Sequence, residues 1–153
     1  MGLLVDTVVA RLRQLPLDEL QPLLTESREQ GFTFLDRLVT EYTNGANRFD
    51  QPGEALFGIY RRQQLIAIGG LNHDPYLQES GVGRVRHVYV LDSWRGQGVG
   101  RQLLQQIVVA AQGHYRRLTL RTFSEPADKF YCAVDFVKEP EIQGATHHMD
   151  LPE

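Results

Sequence analysis

The most constraining stretch is Val85-Arg86-His87-Val88-Tyr89-Val90, followed five residues later by Arg95-Gly96-Gln97-Gly98-Val99-Gly100. Val85 to Val90 is β-branched and aromatic, the composition of a half-buried strand. Leu103, Leu104, Ile107, Val108 and Ala111 then recur at helical spacing, and Gly113 suits a C-cap. The unit is therefore a strand, a glycine-rich loop and a helix. Glycines at the mouth of a helix let a ligand approach the backbone, because no Cβ intervenes. The first N–H groups of that helix lack intrahelical partners and sit at the positive end of the macrodipole. Such a site holds an anion, most often a phosphate.

Spacing discriminates among phosphate-binding loops. A P-loop ends in Gly-Lys-Ser or Gly-Lys-Thr, whereas Gly100 is followed by Arg101-Gln102. The dinucleotide fingerprint G-x-G-x-x-G fails because position 101 is not glycine. The pattern present, Arg95-x-x-Gly98-x-Gly100, resembles the pyrophosphate-binding motif [RQ]-x-x-G-x-[GA] of the GNAT N-acetyltransferase superfamily. The resemblance implies acetyl-CoA as co-substrate, its pyrophosphate held by Arg95, Gly96, Gln97, Gly98, Val99, Gly100 and Arg101.

At 153 residues the chain suits one domain, residues 1–153. A net charge of −3 gives no global reason to expect nucleic acid or an anionic membrane. The single cysteine, Cys132, is compatible with a reducing compartment. No apolar run approaches the roughly 20 residues of a membrane span, and Met1 to Asp6 does not read as a signal peptide. The expectation is a soluble, cytoplasmic protein, a monomer or homodimer, with no nucleic-acid or membrane partner.

In chain order, Leu4 to Leu12 is the first expected strand. Asp18 caps a helix running to about Gln30, with Pro22 near its first turn and Gly31 after it. Thr33 caps a second helix ending at Asn44-Gly45. Asn44 to Gly53 reads as a loop. Ala55 to Tyr60 and Leu65 to Leu71 form a hairpin. Asn72 to Gly83 reads as another loop. After the glycine-rich helix, Arg117 to Thr122 is a strand, so the unit is βαβ with parallel strands. Ser124 caps a short helix from Pro126. Phe136 to Glu139 and Thr146 to Leu151 are the last strands. The fold class is α+β, a mixed sheet in the order that the GNAT fold is known for. The resemblance implies a mostly antiparallel central sheet whose fourth and fifth strands splay.

Ala127-Asp128-Lys129-Phe130-Tyr131-Cys132-Ala133-Val134-Asp135-Phe136 is similar to that family's second signature, A-x-x-[LF]-Y-x-x-x-G-F. By match of position, Tyr131 lies near the coenzyme sulfur and protonates the departing thiolate. Asp135 replaces the usual glycine, and aspartate tolerates the positive φ that glycine would supply. Ser124 stands where many members carry an asparagine that contacts pantetheine. The splay implies that backbone groups of Val88, Tyr89 and Val90 meet the pantetheine, with the Val88 N–H near the thioester carbonyl.

The amine must lose a proton. His87 is a candidate base on this strand, or a structural histidine; His73, Asp74 and Glu79 are loop alternatives, and water is another route. Arg84 stands where many relatives carry a glutamate. His147-His148 shows no clustered partner set in sequence, so no metal is expected. Cys132 reads as packed. Trp94 either covers the phosphate loop or packs beside it. Arg84, Arg86, Arg116, Arg117 and Arg121 form a basic cluster, read as mostly solvated strand ends. The acceptor groove is expected from the first two helices, the 44–53 loop and the 142–146 connection. The activity implied is transfer of acetyl from acetyl-CoA to a primary amine of a small molecule or peptide. The alternative is a non-catalytic acyl-CoA-binding module on the same fold.

Overall fold

The computed structural model describes residues 6–77 and 79–152. The strands are β1 (Thr7–Arg11), β2 (Ala55–Arg61), β3 (Gln64–His73), β4 (Val82–Val90), β5 (Arg117–Leu120), β6 (Val137–Lys138) and β7 (His147–Asp150). The helices are α1 (Leu17–Glu29), α2 (Phe34–Thr43), α3 (Val99–Ala111) and α4 (Glu125–Ala133), with a 3₁₀ turn at Asp92–Trp94. The strands form one seven-stranded sheet in the order β1-β2-β3-β4-β5-β7-β6. Among the described residues only β4 and β5 pair in parallel; the other neighbours are antiparallel. This is the mixed architecture expected from the strand-helix-strand unit.

Leu20, Leu23, Leu24, Leu35 and Leu38 bury the inner faces of α1 and α2 on one side of the sheet. Leu103, Leu104, Ile107 and Ala111 bury α3 on the other. Gly69 and Gly70 lie next to each other on β3, and alternation points them to opposite faces. A Cβ at Gly69 would meet Leu103 of α3 at 3.0 Å; one at Gly70 would meet the Phe49 ring at 2.5 Å. The pair lets both layers press directly on the backbone of β3.

Opposite this pair, β4 carries a bulge. Ile68 faces Tyr89 and Gly70 faces Arg86, so Gly69 alone opposes both His87 and Val88. His87 takes the left-handed conformation, φ 60°. An inserted residue of this kind bends the strand and re-aims the side chains beside it. No residue pattern in the sequence indicates it.

Several boundaries differ from the sequence expectation. Of the first strand, Leu4 and Val5 lie outside the described residues, and the described part starts at Thr7. α1 begins at Leu17, so Asp18 sits in its first turn rather than capping it, and Pro22 lies inside the helix. Thr33 occupies the N-cap of α2 without a side-chain cap bond. Asn72, His73, Val82 and Gly83, read as loop, belong to β3 and β4, with Asn72 paired to Arg84 and His73 to Gly83. The Asp74 N–H donates to the Val82 carbonyl, extending that ladder at 2.9 Å. β5 ends at Leu120, two residues short of its expected end.

Candidate active site

The site forms where β4 parts from β5. Their parallel pairing covers only Val82–Arg117, Gly83–Leu118 and Arg84–Thr119. β4 runs on to Val90, so from Val85 onward its β5-side edge has no strand partner among the described residues. The Leu91 N–H donates to the Ile66 carbonyl of β3 at 2.9 Å. Counting back by alternation, the backbone groups of Tyr89 face β3, and those of Val88 and Val90 face the open edge. The three candidates thus separate: Tyr89 lacks free backbone groups on that edge. Its hydroxyl instead donates to Glu26 of α1 at 2.5 Å.

β4 leads through the 3₁₀ turn into the glycine-rich loop. Gly98 is the N-cap of α3 at φ 85°, and Gly96 has φ 74°. The first helical bond runs from Gln102 N–H to the Gly98 carbonyl, 3.0 Å. The N–H groups of Val99, Gly100 and Arg101 therefore have no acceptor inside the helix. A Cβ on Gly96 would meet nothing within 4 Å, so the loop borders open space. Gly100 instead makes room for a neighbouring helix, since a Cβ there would meet the Phe130 ring of α4 at 3.0 Å.

The side chains around the loop face the protein. Arg95 Nε donates to the Val90 carbonyl at 2.9 Å, its Nη2 to Gln30 at 3.0 Å, and the guanidinium stacks on Tyr89. Gln97 donates to the Ser93 carbonyl, and Arg101 reaches the Ala133 carbonyl of α4. Trp94 stacks with Arg61 of β2. A ligand here meets the backbone N–H groups together with the exposed guanidinium of Arg101, an arrangement suited to a diphosphate.

α4 closes the other side. The Ser124 hydroxyl caps it, accepting from the Ala127 N–H at 3.3 Å, which leaves its own O–H free to donate. Tyr131 is 8% exposed, packed against Phe130, Phe136 and the His147 ring. Its hydroxyl has no hydrogen-bond partner among the described residues, and burial pushes its pKa up. Asp135 ends the helix at φ 78°, while Phe136 N–H returns to the Tyr131 carbonyl at 3.0 Å. This is a Schellman-type end with aspartate in the glycine position. Asp135→Gly should raise stability by about 0.5–1 kcal/mol, the left-handed penalty less the added freedom of the unfolded chain. A denaturant midpoint checks it: a lower midpoint would mean that the carboxylate has an unrecognised partner.

Sequence spacing does not reveal a cluster behind Tyr131. Buried His147 meets Asp128 of α4 through Nε2 at 2.6 Å and the Thr146 hydroxyl through Nδ1 at 2.7 Å. Thr146 Oγ1 also accepts from the Thr122 N–H. One tautomer satisfies the chain: Thr146 donates to Nδ1, and Nε2–H donates to Asp128. Cys132, expected to be packed, is exposed, with Sγ 3.6 Å from the same carboxylate. The expectation that His147 lacks partners is thus corrected: ligand atoms of Asp128, Cys132 and His147 lie within 4.8 Å of one another. The hydrogen bonds account for this cluster, which fixes α4, and hence Tyr131, to β7.

His87 lies on the α1/α2 side of the sheet, its ring 6.0 Å from that of Phe49. It is 8% exposed, and neither ring nitrogen has a hydrogen-bond partner among the described residues. Burial, then the charges of Arg86 and Arg37, push its pKa down to about 3. The folded state therefore resists a proton that the unfolded chain accepts near pH 6.5. Stability from this group is full above pH 6.5 and is lost as pH falls toward 3, by up to about 1.4 kcal/mol per pH unit. His87→Leu should flatten that part of a stability-against-pH curve. An unchanged slope would place the acid sensitivity elsewhere.

The start of α3 lies against both other parts: a Cβ at Gly100 would meet the Phe130 ring of α4 at 3.0 Å and the Val90 side chain of β4 at 3.6 Å. A model of the acetyltransferase (GNAT) family matches residues 17–136. A candidate acetyltransferase from Exiguobacterium is 32% identical, with 95% of this chain and 94% of that one covered, and a TM-score of 0.84. An acetyltransferase from Streptococcus agalactiae shares the fold at 12% identity, covering 96% and 99% of the two chains, with a TM-score of 0.77. A GNAT-family acetyltransferase from Staphylococcus aureus does so at 14% identity, covering 95% and 100%, with a TM-score of 0.66.

Proposed function

The chain belongs to the GNAT acetyltransferase family, and from that premise we propose that it transfers an acetyl group from acetyl-CoA to a primary amine by direct attack. The observation that supports this reading is the adjacency of three parts at Gly100, which lies against Val90 and Phe130. The three parts are the free N–H groups at the start of α3, the unpaired edge of β4 and the buried Tyr131 of α4.

Acetyl-CoA supplies an activated acetyl thioester. The N–H groups of Val99, Gly100 and Arg101 bind its diphosphate, helped by the positive end of α3. Open space beside Gly96 supports that fit, because phosphates need a backbone without side chains. Arg95, Gln97 and Ser124 act by holding the loop and α4 in shape. Val88 and Val90 hold the pantetheine through the open edge, and the Val88 N–H stabilises charge gathering on the carbonyl oxygen. The amine nitrogen forms the new bond to the acetyl carbon while the carbon–sulfur bond breaks. Tyr131, kept protonated by burial, donates to the departing sulfur.

The proton released by the amine needs another route. An imidazole whose pKa lies near 3 holds a proton too weakly to take it from an ammonium. We therefore assign this proton to water leading to solvent, and His87 to the wall of the acceptor site. A thiol-release assay with acetyl-CoA and a panel of amines tests the proposal. Thiol release that depends on an amine supports it. Coenzyme binding without release across the panel would instead favour the binding-module reading.

A further inference from the structure

We infer that the acceptor carries an anionic group, a carboxylate or a phosphate, beside its reacting amine, and that Arg86 and Arg121 receive it at the two lips of the opening between β4 and β5. The inference rests on the acetyl-transfer reading above and names the substrate class for that site.

The last β4–β5 pair is Arg84–Thr119. Two residues on from that pair stand Arg86, still within β4, and Arg121, one residue past the end of β5, where the two segments separate. Arg86 pairs with Gly70, whose open side meets Phe49, so it belongs to the face away from α3, and Arg121 follows the strand residues Thr119 and Leu120 at the mouth of the same gap. Arg86 is half-buried, and its carboxylate partner is Glu41 at a loose 3.8 Å. Arg121 has no carboxylate partner among the described residues and lies 4.9 Å over the ring of Phe123, which is 82% exposed. Reading these arginines as solvated strand ends holds for Arg116 and Arg117, which pair with Glu79 and Asp150 at the surface. It fails for Arg84, 7% exposed, and for Arg86.

Hydrogen-bonding capacity on this face leans one way. Asp74 already accepts from the N–H groups of Tyr76 and Leu77 and from Thr119, with Arg84 at 3.6 Å. Glu54 accepts from Asn72 and from the Gln51 N–H. Spare capacity lies mainly with donors. Arg84 Nη1 is a buried donor without a hydrogen-bond partner, and the neutral His87 ring, with both nitrogens likewise unpartnered, adds one N–H donor and one acceptor. The charges that act on the His87 ring are those of Arg86 and Arg37, so the local field is positive. A carboxylate or phosphate brings the missing acceptor oxygens and the opposite charge, and guanidinium is the group that binds either in a two-pronged way. A polycationic amine meets repulsion in the same place.

The test compares acceptors that share one skeleton: an α-amino acid, its amide, the amine lacking the carboxylate, and an amino-alcohol phosphate. The anionic members should show kcat/KM at least about tenfold above the neutral ones, the size of one charged hydrogen-bonding pair. Whichever anion leads identifies the source of the charge. Arg86→Gln and Arg121→Gln should each raise KM for that anion tenfold or more, whereas the surface variant Arg116→Gln should not. Both target arginines carry enough exposure to be replaced without emptying the core, and a melting curve verifies folding. Equal or better turnover of neutral or polycationic amines would overturn the inference. If no amine turns over, calorimetry of the same four compounds with coenzyme A present decides. Heat from the anionic members alone keeps the inference and removes the transfer reading; no heat from any removes the inference.

Discussion

Replacing Tyr131 with phenylalanine is expected to lower turnover by about 10²–10⁴-fold, the span for loss of a proton donor. The change removes one oxygen and keeps the ring that packs on Phe130, Phe136 and His147. The hydroxyl makes no hydrogen bond to the described residues, so the folded protein loses no internal bond. Melting temperature and acetyl-CoA affinity should hardly move. Single-turnover measurements keep slow product release from hiding the effect. Wild-type chemistry in the variant would assign the sulfur's proton to water.

Gly98→Val is expected to abolish measurable acetyl-CoA binding. Two effects combine at this position. The φ of 85° is one that a β-branched residue strongly resists, so the loop must shift or the protein must carry strain. Any side chain there also stands at the N-terminus of α3, where the diphosphate is assigned. Stability should fall by roughly 1–3 kcal/mol. Gly31→Val is the control, because its φ of 84° brings comparable strain, with open space around it, just beyond the C-terminal end of α1. A folded Gly98→Val protein that binds acetyl-CoA normally would end the phosphate assignment; equal loss in both variants would attribute the effect to strain.

Sequence is legible here where the physics is local. A strand followed by glycines and an amphipathic helix describes one continuous stretch, so β4, the loop and α3 can be read directly. Asp135 is readable as a left-handed aspartate only through the resemblance, because it stands where the family signature has glycine, and its φ of 78° agrees. Contacts between distant segments are not readable in this way. Asn72, His73, Val82 and Gly83 look like turn residues around Asp74-Pro75, yet pairing across the sheet draws them into strands. Arg84 looks solvated because charged residues usually are, and its burial depends on Asp74 and on Tyr76, whose ring it stacks over at 4.5 Å. The His147–Asp128 contact joins a strand to a helix across 19 residues of sequence. The bulge at His87 depends on the register against Gly69, which composition does not encode.

The paired glycines of β3 act together with that bulge as a key and its lock. A strand held only by alternating hydrophobic residues can slip by two positions and present much the same faces. Here a two-residue slip of β3 would place Ala67 or Leu71 where α3 presses on Gly69, and Ile68 or Asn72 where the Phe49 ring presses on Gly70. Every such slip drives a side chain into an occupied layer. The extra residue of β4 also has only one position at which Gly69 can face it. The height at which the Val88 N–H reaches the open edge is therefore set by steric exclusion on both faces of the neighbouring strand. On the role proposed for the Val88 N–H, its alignment is inherited from assembly of the sheet.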